Sequence, residues 1–146
     1  MTLIYKLLED KNSWYTKYLL CTEAFLAGVR HAPEIALDEL ELFYGNRESL
    51  LKILDGLDKK ISERMAELNR HGLELNSEQK TKIQFHLREK DAIVGKIVLL
   101  DEELMAEIEK LRLRGEEKIK QLSKGKKALA KYKSAPNHNE KIDKRV

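Results

Sequence analysis

Apolar residues return at steps of three and four along most of this chain, and two short polar stretches containing helix breakers interrupt the rhythm. Ile4, Leu7, Trp14, Tyr18, Cys21 and Phe25 share one helical face, because residues three or four apart stack on the same side of an α-helix. Leu8, Tyr15, Leu19 and Leu26 widen that face beyond a coiled-coil seam. A first helix is expected over roughly residues 3–29. The stretch "GVRHAPE" ends it, with Gly28 loosening the helix end and Pro33 suited to a turn or a first helical turn.

The second helix is expected over roughly residues 37–69. Leu40, Tyr44, Arg47, Leu51, Leu54, Asp58, Ile61, Met65 and Leu68 alternate steps of four and three, and only Arg47 and Asp58 among them are not apolar. The unbroken phase carries this helix through Gly45–Asn46. Gly72 is placed to act as the residue after the C-cap. Ser77 reads as the next N-cap, with Lys80 rather than Glu or Gln three residues on, hence a cap without a capping box.

The third seam runs through Ile83, Leu87, Lys90, Val94, Ile97, Asp101, Leu104, Ile108 and Leu111, then Gly115, Lys118, Leu122, Gly125, Leu129 and Tyr132. It predicts a helix over roughly residues 78–133, about 84 Å long at 1.5 Å per residue. Helices of about 50 Å or less cannot cover it. Its last stretch must overhang, bend back near Gly115, or meet a partner. Each interior glycine costs about 1 kcal/mol relative to alanine, which makes Gly115 and Gly125 candidate break points, Gly115 first. The fold class is therefore all-α: an elongated antiparallel three-helix bundle or coiled coil with a long third helix. Residues 1–134 form one domain in this reading, and 135–146, with Pro136 and no periodicity, a disordered basic tail.

Composition agrees, with 36% charged residues, 7 Gly and 2 Pro in 146 residues. The single Cys21 has no disulfide partner and reads as a buried structural thiol. Seven of the nine aromatics precede residue 45, and they read as packing between the first two helices or as a groove for a partner helix. The start of the chain lacks the pattern of a signal peptide, and no apolar run is long enough to span a membrane. A cytoplasmic protein without membrane insertion is the expectation.

Charge is unevenly distributed. Lys110–Val146 carries 13 Lys/Arg against 4 Asp/Glu, whereas residues 1–109 carry 15 against 21. An acidic body thus ends in a basic segment. That segment suits nucleic acid electrostatically, but it has no arginine block and only Tyr132 as an aromatic. Lysines near a helix C-terminus are also favoured by the helix dipole.

No catalytic or metal constellation is present. None of His31, His71, His86 and His138 has a carboxylate three residues before it, no paired cysteines exist, and phosphate-binding glycine loops are absent. His86, beside seam position Leu87, reads as a helix-surface residue. A non-enzymatic binding protein without cofactor or metal is expected, with a nucleic-acid-binding or structural coiled-coil protein as the alternative.

Three stretches are similar to the small cytoplasmic flagellar export chaperones of the FlgN/FliT type. They are "YGNRESLLKILDGLDKKI" (Tyr44–Ile61), "IVLLDEELMAEIEKL" (Ile97–Leu111) and "KGKKALAKYKS" (Lys124–Ser134). The chain departs from many members in its lysine-rich tail and in lacking a glycine directly after Tyr132. The resemblance implies a non-enzymatic helical bundle. Its partner would be the helical C-terminal region of an axial flagellar subunit, a filament cap or hook-associated protein, which it would keep unassembled and deliver to the export gate and ATPase complex. It implies Tyr132 as the contact to the gate.

Leu104, Ile108, Leu111, Ile119, Leu122 and Leu129 are the candidates to cover the client helix. Lys126, Lys127 and Lys131 are placed to steer an acidic partner. The segment after Gly115 is expected to be flexible or folded back over the client groove, hiding Tyr132. An overhanging seam equally allows a homodimer.

Overall fold

The structure, a computed structural model, describes residues 1–134, with side chains described through Ala130. The predicted tail 135–146 lies outside the described residues. Among the described residues three helices follow one another, α1 (Thr2–His31), α2 (Leu37–Arg70) and α3 (Ser77–Ser134). None of them is long and apolar enough to cross a membrane.

α2 turns back along α1, so that Phe25 stacks on Phe43 at 4.0 Å between ring centres and Lys11 pairs with Asp58. α3 then runs in the direction of α1. The Asn12 side chain donates to the His86 carbonyl at 3.0 Å, and further along Arg30 meets Glu103 at 2.5 Å. The path is up, down, up. α1 packs on both neighbours, while α2 and α3, among the described residues, have no Cα approach within 8 Å of each other. The wide apolar face read from α1 has this cause: Ile4, Leu7, Leu8, Tyr18, Leu19, Leu26 and Val29 are all buried, because two helices share them.

The core has two parts. Leu26, Val29, Phe43, Leu104 and Leu111 cluster at one end, with Cys21 half-buried against them. Tyr18, Leu19 and Ile97 form the second cluster, flanked by Tyr15, Leu50 and Ile93.

The α2–α3 connection is chemically defined at both ends. At the end of α2, the Gly72 amide donates to the Asn69 carbonyl and the Leu73 amide to the Leu68 carbonyl. Gly72 takes φ 66°, the left-handed conformation that glycine adopts without a Cβ penalty. The start of α3 differs from expectation. Asn76, not Ser77, caps the helix, its Oδ1 accepting from the Gln79 amide at 2.8 Å. Gln79 reciprocates, its Oε1 accepting from the Asn76 amide at 3.0 Å. This is a capping box, displaced by one residue from the sequence-based placement.

The break expected at Gly115 does not occur, and neither does fold-back: α3 is one helix from Ser77 through Gly115 and Gly125 to Ser134. About 1 kcal/mol per glycine is offset by strong helix formers on either side. Arg112 bridges the first site, bonding Glu109 at 2.5 Å on one side and Glu116, beyond Gly115, on the other.

Candidate functional site

α1 ends at His31, and the last α3 side chain buried against it is Leu111. Beyond that point α3 continues alone for about 22 residues, about 33 Å. On this extension Ile119 and Leu122 are each 66% exposed and Leu129 is 47% exposed. Leu122 and Leu129 flank a shallow concavity shared with Lys118, Gln121 and Lys126. Gly125 lies at its centre, where no atom stands within 4 Å of the place a Cβ would occupy. The same stripe that α1 covers lower down therefore emerges bare.

The six residues predicted to meet a client are separated by this geometry. Leu104 and Leu111 are buried within the chain's own core, so their assignment to a client is corrected: Leu26, Val29 and Phe43 already cover them. Ile108 is half-buried and lines a cleft of about 190 Å³ beneath the α1–α2 connection, with Phe25, Ile35 and Leu40. Ile119, Leu122 and Leu129 remain available. Lys126 and Lys127 are exposed beside them. Lys131 and Tyr132 continue the helix backbone, and their side chains lie outside the described residues.

A second feature lies on the body. Arg47 of α2 donates to both oxygens of Asp101 on α3, each at 2.9 Å. Its Nε also donates to the Tyr18 hydroxyl of α1 at 2.6 Å, and the guanidinium lies 4.5 Å from the Tyr18 ring centre. One side chain thus ties all three helices. Burial works against the Arg47 charge, but Asp101 and Tyr18 outweigh it and hold its pKa above the ordinary value. Arg47 and Asp101 were both polar interruptions of apolar seams, and that shared anomaly was the signal that could have paired them.

Inward of this ion pair lie Phe43, Leu50, Ile97 and Leu104, packed toward α1. One position further round each helix, on the side away from α1, are Tyr44 and Leu51 of α2 and Val98 and Met105 of α3, 47–62% exposed. With no Cα approach within 8 Å between α2 and α3, these exposed side chains flank the open side of the Arg47–Asp101 pair, and the furrow between the two helices is the α2–α3 groove. Glu41 and Glu48 on α2, and Asp91 and Glu102 on α3, are exposed and lie outward of these rows.

His86 is buried between Tyr5 and Phe85, which corrects its reading as a surface residue. Its Nδ1 has no hydrogen-bond partner among the described residues, with Glu89 at 3.9 Å. At the root of the extension, hydrogen bonding from Arg112 holds the Glu109 carboxyl below its ordinary range, and Glu109 in turn raises Arg112.

Comparison with family models, with curated proteins and with solved structures finds no match for this chain.

Proposed function

We propose that this protein is a cytoplasmic binding protein for an amphipathic helix of another protein, of the flagellar export chaperone kind. The observation that carries the reading is the apolar stripe of α3 left uncovered past the end of α1, at Ile119, Leu122 and Leu129. Each large apolar side chain fully buried by a partner contributes about 1.5–3 kcal/mol before ordering costs. A few of them reach micromolar affinity, which corresponds to about −8 kcal/mol. The resemblance of Tyr44–Ile61, Ile97–Leu111 and Lys124–Ser134 to flagellar export chaperones supplies the client class: the helical C-terminal region of a filament cap or hook-associated protein. Lys126 and Lys127, with Lys131, steer an acidic partner, and Tyr132 contacts the export gate.

Calorimetric titration of the purified chain with such C-terminal segments tests this. A single segment is expected to bind, and truncation after Arg114 to abolish binding while leaving the body folded. Tyr132→Ala is expected to spare client binding and weaken export. The basic segment also favours a nucleic-acid reading on charge alone. A mobility shift at physiological salt that is specific for one nucleic acid, with no client segment bound, would replace the chaperone reading by that one.

A further inference from the structure

Two surfaces of this chain are complementary in charge and length. The extension presents Lys118, Lys120, Lys124, Lys126 and Lys127 without an intervening acid, around exposed Ile119, Leu122 and Leu129. The α2–α3 groove presents exposed Tyr44, Leu51, Val98 and Met105 between two outer rows. These bear Glu41, Glu48 and Asp55 with Lys52 and Lys59 on α2, and Asp91 and Glu102 on α3. Lys59 pairs with Asp55 and Lys90 with Asp91, so that Glu41, Glu48 and Glu102 are, among the described residues, the acids in no ion pair there. From Leu87 to Met105 the α3 wall is about 27 Å long, against about 33 Å for the extension.

We infer that the basic extension of α3 seats in the acid-rimmed groove between α2 and α3 of a second copy, forming a two-fold dimer. The unbroken helix excludes the chain's own groove as the receptor, because α3, continuous through Gly115 and Gly125, carries the extension past the end of its own body. Two extensions do not pair with each other, since both are lysine-rich and like charges repel across so close a contact. A second copy offers the opposite charge, and the exchange is reciprocal: each chain gives an extension and receives one, as a self-complementary two-fold interface requires. Seated in the groove, the extension becomes a fourth helix lying on the face of α2 and α3 that α1 leaves open. The inference concerns the same extension to which the proposed function assigns a client, and it stands independently of that client's identity.

Sedimentation of the full chain, without any client, tests it. A dimer is expected at about 50 mM salt, weakening at least about ten-fold by about 500 mM as its charges are screened. Glu48→Lys with Glu102→Lys, and separately Lys126→Glu with Lys127→Glu, are each expected to give monomers. An equimolar mixture of the two variants is expected to restore the dimer, because both exchanged contacts are then matched. Circular dichroism of each variant confirms that it is folded. A wild-type monomer at about 100 µM in low salt, a dimer indifferent to salt, or failure of folded variants to recombine would overturn the inference. A chain that stays monomeric in low salt without client, yet binds a client segment, would leave the proposed function standing while removing this one.

Discussion

Arg47 and Asp101 meet across the gap between α2 and α3 through two parallel hydrogen bonds of 2.9 Å, among the described residues the one place where an ion pair ties these helices to each other. The Arg47 side chain is 15% exposed and that of Asp101 35%, so the pair is only partly screened by water. Arg47→Ala is expected to lower stability by about 2 kcal/mol, because the Asp101 carboxylate and the Tyr18 hydroxyl lose their donor. A denaturant double-mutant cycle with Asp101→Ala should give a coupling of about 1 kcal/mol, less than a buried pair would show because Asp101 keeps some solvent. Additive losses would mean that the two groups contribute independently.

Leu104 and Leu122 occupy the same stripe of one helix yet are 2% and 66% exposed. Leu104→Ala should cost about 2–5 kcal/mol, the range for a buried leucine that leaves a cavity. Leu122→Ala should stay within about 0.5 kcal/mol of wild type while weakening whatever the extension binds. Urea unfolding of the two variants, set beside a binding titration, separates them.

The start of α3 gives a local test. Asn76→Ala removes the cap and should cost about 0.5–2 kcal/mol, whereas Ser77→Ala should be close to neutral, since its side chain caps nothing. Thermal melts of the pair distinguish the two positions.

Gly115 and Gly125 are helical, and a methyl group placed on either would meet nothing within 4 Å. Replacing each with alanine should favour the helical extension by about 1 kcal/mol. Amide exchange in residues 113–130 should slow. Little change is expected in global unfolding, because the extension lies outside the core.

At the root of the extension the Glu109 carboxyl titrates below its ordinary value because Arg112 bonds to it. A carboxyl depressed in the folded state stabilises the fold above its unfolded pKa, and that contribution fades as pH falls through the folded value. A proton titration followed by carbon-13 resonance should place Glu109 low, and Arg112→Ala should return it to the ordinary carboxylate range.

The helices and their order were legible in the sequence because the three-and-four rhythm is strong and the breakers near Pro33 and Gly72 are unambiguous. The facing positions were less so. On α2 the rhythm favours Tyr44 and Leu51, whereas Phe43 and Leu50 point inward. On α3 it favours Leu87, and His86 is the buried residue. In each case two adjacent side chains fit the rhythm, and only the direction of the neighbouring helix decides between them. Arg47 and Asp101 were each visible as exceptions, but nothing within one helix could show that they meet. The overhang was legible from length alone. Its continuity was not, because two glycines weigh less than the helix formers and ion pairs around them.

The central position of α1 has a consequence for synthesis on the ribosome. Since α2 and α3 make no backbone approach to each other among the described residues, α1 is the scaffold on which α3 must form its core. The Asn12–His86 bond spans 74 residues, and Leu111 closes the core at its far end. A nascent chain that has completed the α1–α2 hairpin must carry the other flank of α1, including Leu19 and Leu26, uncovered until the first half of α3 has emerged. The extension emerges after Leu111, so its apolar stripe follows the residues that close the core.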